Sequence, residues 1–207
     1  MEKPSAIIFG ATGGIGSNLS RRLSTDGWRL ALCARGTERL TALGDELGVH
    51  CEPADAADLK SVENAFAAAC EKFGRLDGVV NCCGSLLLKP AHLTTGEEWA
   101  HTLNANLTTA FHVLRGAASR MMRSGGGSIV LLSSAVAQRG MINHEAIAAA
   151  KAGVVGLAQS AAATYAGSSS CSARTRRNST NSTSASSPTP KLGRTSPSRA
   201  TNFSCAS

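Results

Sequence analysis

The sequence predicts an α/β domain, a doubly wound parallel sheet in three layers with helices on both faces. Two observations predict it. Five short apolar runs alternate with stretches whose apolar residues recur at helical spacing. The first run, Ala6 to Phe9, empties into the turn Gly10 to Gly16, reading GATGGIG, and then into a helical pattern of Ile15, Leu19 and Leu23. A glycine-rich turn between strand and helix lets the backbone approach a pyrophosphate and aims free helix N–H groups at it. Its spacing, Gly-x-x-x-Gly-x-Gly, is neither the GxGxxG fingerprint nor the GxxxxGKS/T phosphate loop.

The elements follow in order. The first helix stops at Gly27, and Trp28 to Ala34 reads as the second strand. Thr37 is placed to cap a helix carrying Leu40 and Leu43, and Val49 to Cys51 reads as a short third strand. Asp58 caps the next helix, with Leu59, Val62, Phe66, Ala69 and Phe73 on one face. Asp77 to Cys82 is the fourth strand, ending at Gly84. Thr95 and Glu98 form a capping-box pattern ahead of one long helix through Trp99, Leu103, Leu107, Phe111 and Leu114. Ser124 to Gly127 breaks it, and Ile129 to Leu132 is the fifth strand. A last helix starts near Asn143 and runs through Ala163.

A chain of 207 residues suits one domain with a real core and a tail. The net charge of +7 is not spread evenly. Met1 to Glu145 holds 14 basic and 14 acidic residues, and the seven remaining basic residues lie beyond Glu145. The excess therefore says little about partners of the folded part. Six scattered charges without interleaved aromatic residues do not make a nucleic-acid interface.

The seven cysteines, Cys33, Cys51, Cys70, Cys82, Cys83, Cys171 and Cys205, show no CxxC. They predict a reducing, cytoplasmic compartment, with adjacent Cys82 and Cys83 as buried filler rather than a redox or metal pair. The first strand starts too early for a signal peptide, and Lys151 interrupts the only run approaching a membrane span.

From Gly167 the pattern changes. Residues 168–207 are rich in Ser, Thr, Arg and Pro, with neither apolar periodicity nor acidic residues. The expectation is a domain over 1–166, truncated after the helix carrying Lys151, and a disordered or non-native tail over 167–207. A shifted reading frame or an alternative exon would explain the tail, and the sheet would be left uncovered beside its fifth strand.

Together these stretches resemble the short-chain dehydrogenase/reductase family over about residues 5–166. The family's TGxxxGIG loop stands here as Phe9 followed by Gly10, Ala11, Thr12, Gly13, Gly14, Ile15 and Gly16. Its NNAG stands as Asn81, Cys82, Cys83, Gly84. Asp55 matches the position that holds the adenine ring, Asn106 the family's structural and catalytic Asn, and Ser134 its catalytic Ser. The YxxxK motif stands as Ile147, Ala148, Ala149, Ala150, Lys151, so the lysine is present and the tyrosine is absent.

The resemblance implies a Rossmann-type fold and hydride exchange between a nicotinamide cofactor and a small carbonyl or alcohol substrate. It also implies homo-oligomers formed through helices 95–123 and 144–163. An NAD enzyme places a carboxylate at the end of the second strand; here Ala34 and Arg35 stand there, which favours NADP(H) over NAD(H). In the family, tyrosine passes the proton to the substrate oxygen, lysine lowers that phenol's pKa and holds the nicotinamide ribose, and serine bonds the substrate oxygen. Ile147 can do none of this. His144, three residues earlier, is the candidate substitute acid if the helix begins by Asn143. Tyr165 lies about 21 Å beyond Lys151 along a helix and is excluded. Two readings result: an NADP(H)-dependent oxidoreductase with impaired chemistry, and a non-catalytic dinucleotide-binding protein.

Overall fold

The computed structural model describes residues 3–165, together with the backbone of 171–175 and 201–206. The strands β1 (Ser5–Phe9), β2 (Arg29–Ala34), β3 (His50–Pro53), β4 (Gly78–Asn81) and β5 (Ser128–Leu132) pair in parallel. Their order is β3-β2-β1-β4-β5, so the winding reverses between β1 and β4. The ends of β1 and β4 there form the crevice where such sheets take ligands.

Helices α1 (Gly14–Thr25) and α2 (Thr37–Leu47) cover one face. There Ala6, Ile8, Leu30 and Leu32 are buried with Leu40 and Leu43, and Leu19 and Leu23 pack against them. The other face takes α3 (Leu59–Phe73), α5 (Thr109–Met121) and α6 (Glu145–Tyr165). Ile7, Phe9, Val79 and Ile129 meet Val62, Phe66, Val113 and Val154 in the larger core. Phe9 and Phe66 lie 5.4 Å apart between ring centroids. Gly116 permits α5 to sit this close to α3, since a Cβ there would come within 2.6 Å of the Phe66 ring. The three expected layers are present.

Several local expectations are corrected. Gly36, in extended conformation, is the N-cap of α2, and Thr37 is its first helical residue with no capping hydrogen bond. The long helix is not continuous. It is α4 (Gly96–Leu103), one π-helical turn (Asn104–Thr108) and then α5. The last helix starts at Glu145, because Asn143 has φ +61° and cannot belong to a right-handed helix. By length and composition α6 is apolar enough to cross a membrane despite Lys151. Here, however, its Val154, Ala158 and Ala161 lie in the core.

The expected bare edge beside β5 is also corrected. After α6 come β6 (Cys171–Thr175) and β7 (Thr201–Ala206); β7 pairs in parallel with β5, and β6 pairs outside β7. Strand ladders use backbone N–H and C=O groups, which every residue but proline supplies in full, so pairing did not need an apolar pattern. The remainder of the expected tail lies outside the described residues.

Candidate active site

The turn after β1 is shaped by two glycines. Gly10 has φ +73°, and a Cβ there would lie 2.8 Å from the backbone of Cys82 and Cys83. A side chain at Gly16 would run into the Gly10 carbonyl. The turn is tied to its neighbours by Cys82 N–H donating to the Phe9 carbonyl and Ala11 N–H donating to that of Cys33. Gly13 is the N-cap of α1, and Ser17 N–H makes the first helical bond, to the Gly13 carbonyl. The amides of Gly14, Ile15 and Gly16 therefore have no carbonyl four residues back, and the helix offers them to an anion. A Cβ on Gly14 would meet nothing within 4 Å, so the approach is open.

Beside this turn runs a groove of about 460 Å³. Gly10, Thr12 and Gly13 line it from the turn, Ala34, Arg35 and Arg39 from the end of β2 and the start of α2, and Asp55 from the loop after β3. Cys82, Cys83, Gly84 and Ser85 line it after β4. Arg35 and Arg39 are both exposed, and no carboxylate stands at Ala34. Asp55 accepts a hydrogen bond from Ala57 N–H at 2.9 Å. These features fit a phosphate-bearing dinucleotide: free helix amides, an open cradle, and two guanidinium groups at the far end.

Five residues expected to touch the cofactor, Gly14, Ile15, Gly16, Asn81 and Lys151, do not line the groove. Gly16 serves the turn's own packing, and Ile15 points to solvent at 65% exposure. Asn81 is buried, and its Oδ1 accepts from Cys83 N–H at 3.1 Å, which shapes the loop after β4. Burial pushes the Cys82 thiol up to about 11 and the Cys83 thiol to about 12, so both stay protonated at neutral pH. Among the described residues no three His, Cys, Asp or Glu side chains are placed to hold a metal ion.

Gly84 joins the groove to a polar cluster. A Cβ there would lie 2.9 Å from Asn106 Oδ1 and 3.5 Å from Lys151 Nζ. Asn106 sits in the π-helical turn and is 1% exposed. Its Nδ2 donates to the Thr102 carbonyl at 3.0 Å and to Ser85 O and Oγ at 3.2 and 3.1 Å; its Oδ1 accepts from Ser85 N–H at 3.2 Å. Lys151, 9% exposed, donates from Nζ to the Leu132 carbonyl at 3.1 Å. Ser133 Oγ donates to the Lys151 carbonyl at 2.9 Å, which ties the end of β5 to α6. The hydroxyl of Ser134, next in chain, makes no hydrogen bond among the described residues.

At position 147 the isoleucine is 3% exposed and carries no proton to give. His144 lies outside α6, and its carbonyl accepts from Ala148 N–H at 2.7 Å. Its Nδ1 donates to the Ile142 carbonyl at 2.6 Å. That bond assigns the proton of a neutral ring to Nδ1, so only the imidazolium form can donate from Nε2. The sequence anticipated Asn106, Ser134 and Lys151; the structure gathers Asn106 and Lys151 around Gly84. Arg39, Ser85, His101 and Asn104 line the groove without having been anticipated. Of these only Arg39 left a signal, a second cation four residues after Arg35.

The model of the short chain dehydrogenase family matches residues 4–169. The D-threitol dehydrogenase of Mycolicibacterium smegmatis is 38% identical, over 78% of this chain and 64% of its own. A 3-oxoacyl-acyl-carrier-protein reductase of Mycobacterium bovis is 35% identical, over 76% of this chain and 62% of its own. The chain thus spans less than two thirds of the length of these curated relatives. Among solved structures, a short-chain dehydrogenase/reductase from Mycobacterium ulcerans superimposes with a TM-score of 0.80 at 28% identity, covering 85% of this chain and 67% of the other. A variant actinorhodin polyketide ketoreductase solved with NADPH gives 0.78 at 29% identity, covering 84% of this chain and 69% of the other.

Proposed function

Because the chain belongs to the short chain dehydrogenase family, we propose that it binds NADP(H) beside Gly10 and interconverts a small-molecule carbonyl and alcohol. The observation that carries this reading is a groove continuous from the Arg35 and Arg39 end to Gly84, where Asn106 and Lys151 meet. Two relatives named as a dehydrogenase and a reductase support the reaction class, and a structural neighbour solved with NADPH supports the cofactor.

The dinucleotide, when bound, supplies or accepts the hydride. Arg35 and Arg39 would pair with its 2′-phosphate, the amides of Gly14 to Gly16 would face its pyrophosphate, and Asp55 would hold the adenine end. Lys151 would hold the nicotinamide ribose, with Asn106 fixing the loop through Ser85. Ser134, whose hydroxyl is uncommitted among the described residues, would bond the substrate oxygen. The proton that the family's tyrosine exchanges has no source at Ile147. Loss of positioned acid–base catalysis slows turnover by roughly 10² to 10⁴.

The buried Ile147 also favours a second reading, a protein that binds the dinucleotide without chemistry. Calorimetric titration with NADPH and NADH, beside turnover over a panel of carbonyl substrates, separates the two. NADPH binding with slow turnover supports the oxidoreductase; binding with none supports the second reading; no binding overturns both. The exposed Trp99 and Phe111, at 42% and 49%, support self-association through the face formed by α4 and α5. The cytoplasm is the compartment that its free thiols and nicotinamide chemistry suit.

A further inference from the structure

A cavity of about 550 Å³ opens at the N-terminal ends of β2 and β3, on the sheet edge opposite the groove. The six residues of β2 separate Arg29 here from Ala34 there, roughly 17 Å at ~3.3 Å per residue. Lys3, Arg29, His50 and Lys72 line the cavity, with Trp28, Leu30 and Leu47 as its apolar side and no carboxylate among the described residues of the lining. The volume is that of an ordinary small-molecule pocket.

The four basic groups are held in different ways. Arg29 stacks over the Phe73 ring, 5.4 Å from its centroid, and donates to the Phe73 carbonyl at 3.5 Å. Lys3 and Lys72 are exposed at the rim and make no ion pair among the described residues. His50 Nε2 is shut off from solvent and has no hydrogen-bond partner, while Glu52 Oε2 stands 4.0 Å away. Burial first, and then the Lys72 ammonium, hold this imidazole below its usual range, with Glu52 opposing. An excess of positive charge in a concave site concentrates anions. A dianion in the cavity would also favour protonated His50.

We propose that this cavity binds a phosphomonoester, with the phosphate among Lys3, His50 and Lys72 and the organic part against Trp28. The test is NMR titration of the full chain, reading the His50 imidazole and the Trp28 indole N–H. The probes are inorganic phosphate and adenosine monophosphate, against chloride at matched ionic strength. Both phosphates are expected to raise the His50 midpoint, and the nucleotide also to shift the Trp28 signal. Lys72→Glu, at an exposed position, is expected to weaken both responses at least tenfold. A His50 midpoint that neither phosphate moves, one that chloride moves equally, or a response intact in Lys72→Glu overturns the proposal.

Discussion

Position 147 decides what the active site can do. Ile147→Tyr places a phenol one helical turn before Lys151, and in the proposed oxidoreductase it should raise carbonyl turnover by about 10² to 10⁴. Overpacking a site only 3% exposed should cost about 1–3 kcal/mol of stability, readable in a denaturant titration of the same variant. His144→Ala tests the other proton source: activity that survives it excludes the imidazole. The nucleotide end makes a separate prediction. Replacing Arg35 and Arg39 with serine should weaken NADPH binding about 10- to 100-fold, the worth of hydrogen bonds to a charged group, and leave NADH unchanged. Lys151 and Asn106 were legible because they stand where the family's YxxxK and NANL patterns put a lysine and an asparagine. Ser85 was not, because its role depends on a side chain 21 residues away.

Among the elements, α4 has the clearest local cause. Thr95 Oγ1 accepts from Glu98 N–H at 3.1 Å, and Glu98 Oε2 accepts from Thr95 N–H at 2.9 Å. Thr95→Ala should cost about 1 kcal/mol in thermal or chemical unfolding. The Lys89 ammonium, 2.8 Å from both Glu98 oxygens, and then the Thr95 N–H hold that carboxyl below the usual carboxylate range. A carboxylate with a lowered folded pKa stabilises above its unfolded value and loses that contribution as pH falls through the folded one. Lys89→Met should therefore move the Glu98 titration back up, as followed by carboxyl NMR. The capping box could be read from four residues. The π-helical turn could not, since Asn-Ala-Asn-Leu-Thr differs in no local way from α-helix. The start of α2 was misread because Thr caps more often than Gly, whereas the extended Gly36 took the role here.

At the scale of the whole sheet, β1, β2, β4 and β5 were legible because each carries an apolar run under helices on both faces, whereas β3 at the sheet's edge reads His-Cys-Glu-Pro and is only partly buried. The strands β6 and β7 had no such signature. They cover β5, so removing residues 166–207 should bare its edge and promote association between chains. Light scattering of the shortened chain should rise with concentration; scattering unchanged from the full chain would show that β7 does not guard that edge.

The turn at Asn104–Thr108 is a local widening of one helix. A π turn closes the same full circle as an α turn with roughly one residue more. Deleting Ala105 would therefore restore one regular helix and leave α4 and α5 close to their present phase. Val113 and Ala117 would keep their places in the core, and Thr95 and Glu98 theirs beside Lys89. What would close is the wide turn itself, from which Asn106 reaches Ser85.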